Sequence, residues 1–254
     1  MASDNWGDPV VCSLEFALGA FAGNFPGALA ARSQGYVTTS STNNQAVRAT
    51  TYTPLSSPAQ LSVVSTSTAD VFTTGTGAWS VTINYLDSSF VQHSETVQLN
   101  GTTAVNTVGT NYQYIESIVM TQVGSGQINA GTIKLQSTTG GGGTTVGSIA
   151  IGDQQTWWAH HYVPAGVTCY ITCLSAGGTV VAGNVNLIHQ PNLATANATT
   201  TQIGLSIIHP AGGSWEHEFE VPLAVSGPDL VWINEQPVSA TASKTVGGFE
   251  YIQF

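Results

Sequence analysis

Trp79-Ser80-Val81-Thr82-Ile83-Asn84-Tyr85 alternates apolar and polar residues without a break. Successive side chains of a β-strand point to opposite faces, so Trp79, Val81, Ile83 and Tyr85 share one face. Leu86-Asp87-Ser88-Ser89 then reads as a turn. The return arm, Glu95-Thr96-Val97-Gln98-Leu99, alternates again and stops at Asn100-Gly101, a pair that takes the left-handed conformations of a tight turn. Residues 79–101 are therefore predicted as an amphipathic antiparallel hairpin. Its polar face carries Ser, Thr, Asn and Gln rather than Lys and Glu, and that choice recurs along the chain.

Strand signals continue over 112–122, 128–136, 146–151, 156–162, 166–174, 179–189, 201–208, 215–221, 230–234 and 248–254. Gly- and Pro-rich breakers separate them, among them Gly124-Ser125-Gly126, Pro164-Ala165-Gly166 and Gly227-Pro228-Asp229. No long helical pattern follows residue 31. Many short strands so punctuated predict an all-β fold, an antiparallel β-sandwich or jelly roll over 70–254. Residues 32–69 are rich in Ser, Thr, Asn and Gln, hold Pro54 and Pro58, and show no sustained period. They read as extended linker or edge structure, so that 1–69 forms an N-terminal arm and linker. The last run stays apolar to Phe254, which predicts a C-terminus tied into a sheet or an interface, since a free terminus frays.

Charged residues make up 7% of the chain, against about 25% in ordinary soluble domains. Arg32, Arg48, Lys134 and Lys244 are the basic residues, and the net charge is −10. Phosphate contacts need basic side chains, so a direct nucleic-acid partner is excluded, as is docking on an anionic membrane. A neutral polar surface suits a protein exposed to varying salt. It equally suits a subunit covered by neighbours, where an unpaired charge is expensive to desolvate. Cys169 and Cys173 would share one strand face about 13 Å apart, too far to bond. With no Cys or His cluster beside them they read as small buried hydrophobes.

The stretch 10–31 is rich in Ala, Phe, Leu and Gly, and Ala28-Leu29-Ala30 resembles a signal-peptidase site. The residues before it include Asp4 and Asp8 rather than Lys or Arg, and Glu15 and Pro26 interrupt the run, so neither a secretory signal nor a membrane span is expected. It reads instead as an apolar arm that buries Phe16, Leu18, Phe21 and Phe25 on a neighbouring subunit. Phe254 joins them as a candidate interface residue.

Sites of chemistry are few. Gly140–Gly143 has no following Gly-Lys-Ser/Thr and no helix, so it reads as a flexible hairpin tip rather than a phosphate loop. Trp157-Trp158-Ala159-His160-His161-Tyr162 offers aromatics for a sugar platform. Its adjacent histidines face opposite ways, and a core strand with half-buried histidines is the expectation. Glu216, Glu218 and Glu220 fall on one strand face about 7 Å apart. They are expected to be a solvated face that discourages edge pairing, with a hard-cation site as the alternative. No Gly-x-Ser-x-Gly elbow occurs. The chain is read as a non-enzyme with no catalytic residues, no cofactor and no metal.

Three stretches resemble virion proteins of tailed bacteriophages, in particular the small jelly-roll proteins that decorate or cement capsids. They are Val81–Asp87 with Glu95–Thr103, His161–Gly166 leading into a strand, and Gly247–Phe254 after Asn234–Val238. The resemblance implies a β-sandwich, a homotrimer without catalytic residues, and partners in the major capsid protein or other virion subunits. It places the protein on the capsid surface of a virion made in a host cytoplasm, stabilising the capsid lattice. The alternative is a tail-fibre or other receptor- or glycan-binding adhesin of the virion.

Overall fold

The computed structural model describes residues 27–193 and 201–254, and every element among them is a strand. In chain order these are β1 (Leu29–Thr39), β2 (Gln45–Ala46), β3 (Ser62–Ser65), β4 (Ala78–Asp87), β5 (Gln92–Gln98) and β6 (Val105–Asn106). There follow β7 (Tyr112–Val123), β8 (Ile133–Gln136), β9 (Thr145–Ile149), β10 (His160–Val163) and β11 (Thr168–Gly178). The last are β12 (Gly183–Gln190), β13 (Thr201–His209), β14 (Gly213–Ser226), β15 (Asp229–Pro237) and β16 (Ser243–Gln253). All strand pairings are antiparallel, so the expected all-β, antiparallel class is what forms.

The chain divides into two compact units. One contains Gly35–Val37 and Arg48–Trp158, with sheets ordered β6-β3-β8-β9 and β5-β4-β7. The other contains, of the described residues, those up to Gln34, Thr38–Val47 and those from Ala159 on, with sheets β1-β16-β11-β14 and β10-β15-β12-β13, β2 adding to β15. Residues 29–69, expected as arm and linker, thus supply β1, β2 and β3. Their inward positions explain why no period was visible. β1 buries Ser33, Gly35, Val37 and Thr39, and Ser33 Oγ donates to the His160 carbonyl at 2.7 Å. β3 buries Ser62 and Ser65 beside Val63. In β1 alternation is present, but its inward positions are small or polar except for Val37.

In the first unit the predicted hairpin forms, with Val81 opposite Val97 and Thr82 opposite Thr96. Val81, Ile83 and Tyr85 are buried with Ile115, Ile118, Ile133 and Leu135. The turn comes slightly later than expected. Asp87 closes it by accepting from the backbone N–H groups of Ser89 and Val91, while Phe90 takes φ 61° and stacks on Tyr114 at 5.2 Å. Asp70, fully buried, ties two loops together. It accepts from Ser65 Oγ at 2.5 Å, Ala78 N at 2.7 Å, Ala130 N at 2.8 Å and Gly131 N at 2.9 Å. A Cβ on Gly77 would lie 2.0 Å from Asp70 Oδ1, so the carboxylate fits only against glycine.

In the second unit β11 is central, paired with β14 and β16. Ile171 opposes Leu223 and Cys173 opposes Glu218, so four residues of β14 bulge opposite Thr172 alone. The bulge corrects the expected geometry of the cysteines. Tyr251 pairs with Ile171 and Phe249 with Leu174, which puts Ile171 and Leu174 on the same face. Cys169 then points inward with Ile171 and Cys173 outward, on opposite faces. Neither forms a disulfide, and both are buried.

Candidate functional site

The outward face of β1-β16-β11-β14 gathers the exposed charge of its unit. Ser175 opposes Glu216 and Gly248, and Cys173 opposes Glu218 and Glu250, so these residues share a face. Glu216, Glu218 and Glu220 are all exposed on β14, at the end of the sheet order, with Glu220 inside the bulge. The ladder is therefore a solvated edge, as expected. The Cys173 thiol donates to Glu216 Oε1 at 3.2 Å. Burial first, then that bond and the charges of Glu216, Glu250 and Glu218, push the thiol up to about 12. Such a thiol is no nucleophile at neutral pH.

Arg32 of β1 reaches across this face. Its Nη2 donates to Ser175 Oγ at 3.3 Å, and its Nη1 lies 3.9 Å from Glu250 Oε1. On one side is a hollow of about 430 Å³ bordered by Ser175, Ser214, Trp215, Glu216 and Val246. On the other is one of about 200 Å³ bordered by Ala30, Thr172, Glu250 and Ile252. Sequence reasoning missed this groove, because Arg32 and Ser175 stand 143 residues apart and belong to no motif.

Elsewhere the buried titratable groups are occupied by structure. Glu95 accepts from Val108 N at 2.6 Å, Gly109 N at 2.9 Å and the Tyr112 hydroxyl at 2.7 Å. Burial and that carboxylate hold the Tyr112 phenol far above its ordinary range. Asp229 pairs with His189 Nε2 at 2.6 Å and accepts from Asn192 N at 2.6 Å. His209 and Glu235 are fully buried, with Nε2 3.1 Å from Oε1. His209 Nδ1 lies 3.2 Å from the Pro210 carbonyl, an acceptor, so Nδ1 carries a proton. The bond to Glu235 raises the imidazole above its usual value, against the opposing effect of burial.

His160 and His161 were expected half-buried; they are fully buried. Every residue of β10 is covered, so both faces of that strand are interior. His161 Nε2 lies 2.9 Å from Gln253 Oε1, and its ring stacks on Tyr251 at 4.2 Å. Trp158 is buried too, donating to Thr50 and packing on Tyr52, so it offers no sugar platform. The glycine loop joins β8 to β9 as a hairpin tip. It is tethered: Gly140 N donates to Asn106 Oδ1 and Gly142 N to Gln136 Oε1. Phe254 exchanges backbone hydrogen bonds with Thr168, and its ring meets Tyr170 edge-on at 6.0 Å. Phe16, Leu18, Phe21 and Phe25 lie outside the described residues. Among the described residues no three of His, Cys, Asp and Glu gather as a metal site.

No protein-family model and no curated protein matches the chain. Two solved structures of infectious bursal disease virus are similar to it over 89% of its length. For the Gx strain the identity is 10%, the viral chain is covered to 80% and the TM-score is 0.21. For the T13 viral particle the corresponding figures are 7%, 76% and 0.19. At these scores neither likeness carries an argument about fold or function.

Proposed function

We propose that the chain is a structural component of a virus particle and, more finely, a capsid decoration or cement protein of a tailed bacteriophage. It works as a homotrimer seated on the major capsid protein or other virion subunits, at the capsid surface, after synthesis in the host cytoplasm. It performs no catalysis and needs no cofactor. The observation that supports this reading is the outward face of β5-β4-β7. Thr82 bonds Thr96 at 2.8 Å, Asn84 Nδ2 donates to Ser117 Oγ at 2.9 Å, and the already buried Ser80 bonds Thr121 at 3.1 Å. These neutral groups satisfy one another across strands. A neighbour can cover them without stranding a charge or an unpaired donor.

The mechanism is mechanical. Apolar side chains of the arm, Phe16, Leu18, Phe21 and Phe25, and Phe254 at the other end, bury area on adjacent subunits at about 25 cal/mol per Å². Repeated over a lattice, that burial resists internal pressure. The alternative, a tail-fibre or other receptor-binding subunit, is favoured by the groove beside Arg32. The test is rebinding to particles assembled without the protein. Because β1 begins at Leu29, the truncation must stop at residue 26 to leave the strands whole. The full chain is expected to rebind and the truncated chain to fold but stay free; equal rebinding of both contradicts the arm's role.

A further inference from the structure

The geometry points to the groove across β1-β16-β11-β14 as a binding site for a neutral oligosaccharide, two adjacent sugar units straddling Arg32. The inference stands on the groove and holds whether or not the chain is a particle subunit.

Four classes of ligand can be weighed against what lines it. A peptide strand needs free backbone groups to pair with. Here β16 and β11, the groove floor, are paired on both sides, so free backbone groups lie only along the outer edges of β1 and β14, facing away from it. Phosphate polymers are disfavoured, because Glu216, Glu218 and Glu250 outnumber Arg32 and Lys244 on this face. A bare divalent cation meets the Arg32 guanidinium between the hollows. A neutral polyol fits each feature. Its hydroxyls both donate and accept, so they answer carboxylates, a guanidinium and the hydroxyls of Ser175, Ser214 and Thr172 in turn. Its C–H faces rest on Val246, half exposed.

The donors and acceptors are held in place before any ligand arrives. Ser175 and Glu250 fix the guanidinium, and the buried Cys173 thiol fixes one oxygen of the exposed Glu216. Pre-set groups lower the ordering penalty of binding. The groove is shallow, so a single site binds weakly, and several copies displayed together raise the apparent affinity.

The full chain is applied to an array of neutral and acidic bacterial and animal glycans, and hits are repeated by saturation-transfer NMR with the free oligosaccharide. Binding to neutral oligosaccharides is expected. Arg32→Ala and Glu216→Gln should each reduce it at least about tenfold, and Ser214→Trp, which fills the larger hollow from an exposed position, should abolish it. Glu220→Gln, in the bulge outside the groove, should leave it unchanged. Circular dichroism confirms that each variant folds. No signal above the blank overturns the inference, as do signals confined to acidic glycans or indifferent to all three groove variants. Purified protein is used throughout, so failure of the particle reading and failure of this one are read separately.

Discussion

Two outward sheet faces of the same chain solve the problem of being polar in opposite ways. On β5-β4-β7, Ser80, Thr82, Asn84, Thr96, Ser117 and Thr121 bond one another. On β1-β16-β11-β14, exposed carboxylates surround Arg32 and its two hollows. The hydroxyl face loses little when it is covered, because its partners come with it. The acidic face is best left in water or given a ligand that replaces that water. In a chain with 7% charged residues, such segregation is what the proposed division between a covered face and a solvated one would require.

The largest effect is expected inside the first unit. Asp70→Ala removes the acceptor of four donors, each left unpaired at about 1–3 kcal/mol, for a total of at least about 4 kcal/mol. Urea unfolding measures it, and a loss below about 1 kcal/mol would mean that Asp70 does not hold those loops.

The second unit should respond to pH instead. His209 has a folded pKa raised above the ordinary 6.5 by Glu235. The stability it contributes is therefore fully present below about pH 6.5 and is lost as pH rises through the folded pKa. Among the residues packed on the pair, Gly178, Gly183 and Thr245 carry no titratable group. The urea midpoint should fall on going alkaline, and Glu235→Gln should flatten that fall. An unchanged slope in the variant would assign the dependence elsewhere. In the first unit Asp87 adds a smaller effect of opposite sense. Burial raises its pKa, but hydrogen bonds from Val91, His93 and Ser89 outweigh it, so its stability is lost as pH falls through that lowered value.

Smallest is the effect of trimming the hydroxyl face. Thr96→Ala should cost about 0.5 kcal/mol in the same unfolding measurement, the worth of one exposed cross-strand pair. A loss above about 2 kcal/mol would make those bonds structural rather than a prepared surface.

How much of this could be read in the sequence varied with what each strand buries. The hairpin of β4 and β5 was legible because Val81, Ile83 and Val97 are its inward residues. β1 was not, because Ser33, Gly35 and Thr39 are inward residues beside Val37 alone. The expected strand over 156–162 forms only from His160, since Trp157 and Trp158 pair irregularly with Ala49 and Arg48. The bulge at Thr172 left no mark, and it reverses which face Cys173 occupies. The glutamate ladder was visible from spacing alone. The groove was not, because chain folding brings Arg32 to Ser175.

Light scattering of the purified chain over a range of concentrations, beside Thr82→Lys and Glu218→Lys, tests the central claim most directly. The wild type should show three times the 26.3 kDa chain mass. Thr82→Lys, which puts a charge on the hydroxyl face, should fall to a monomer, while Glu218→Lys on the acidic face should keep the trimer. A wild type that stays monomeric throughout, or a Thr82→Lys variant that stays trimeric, would contradict the assignment of that face to subunit contact.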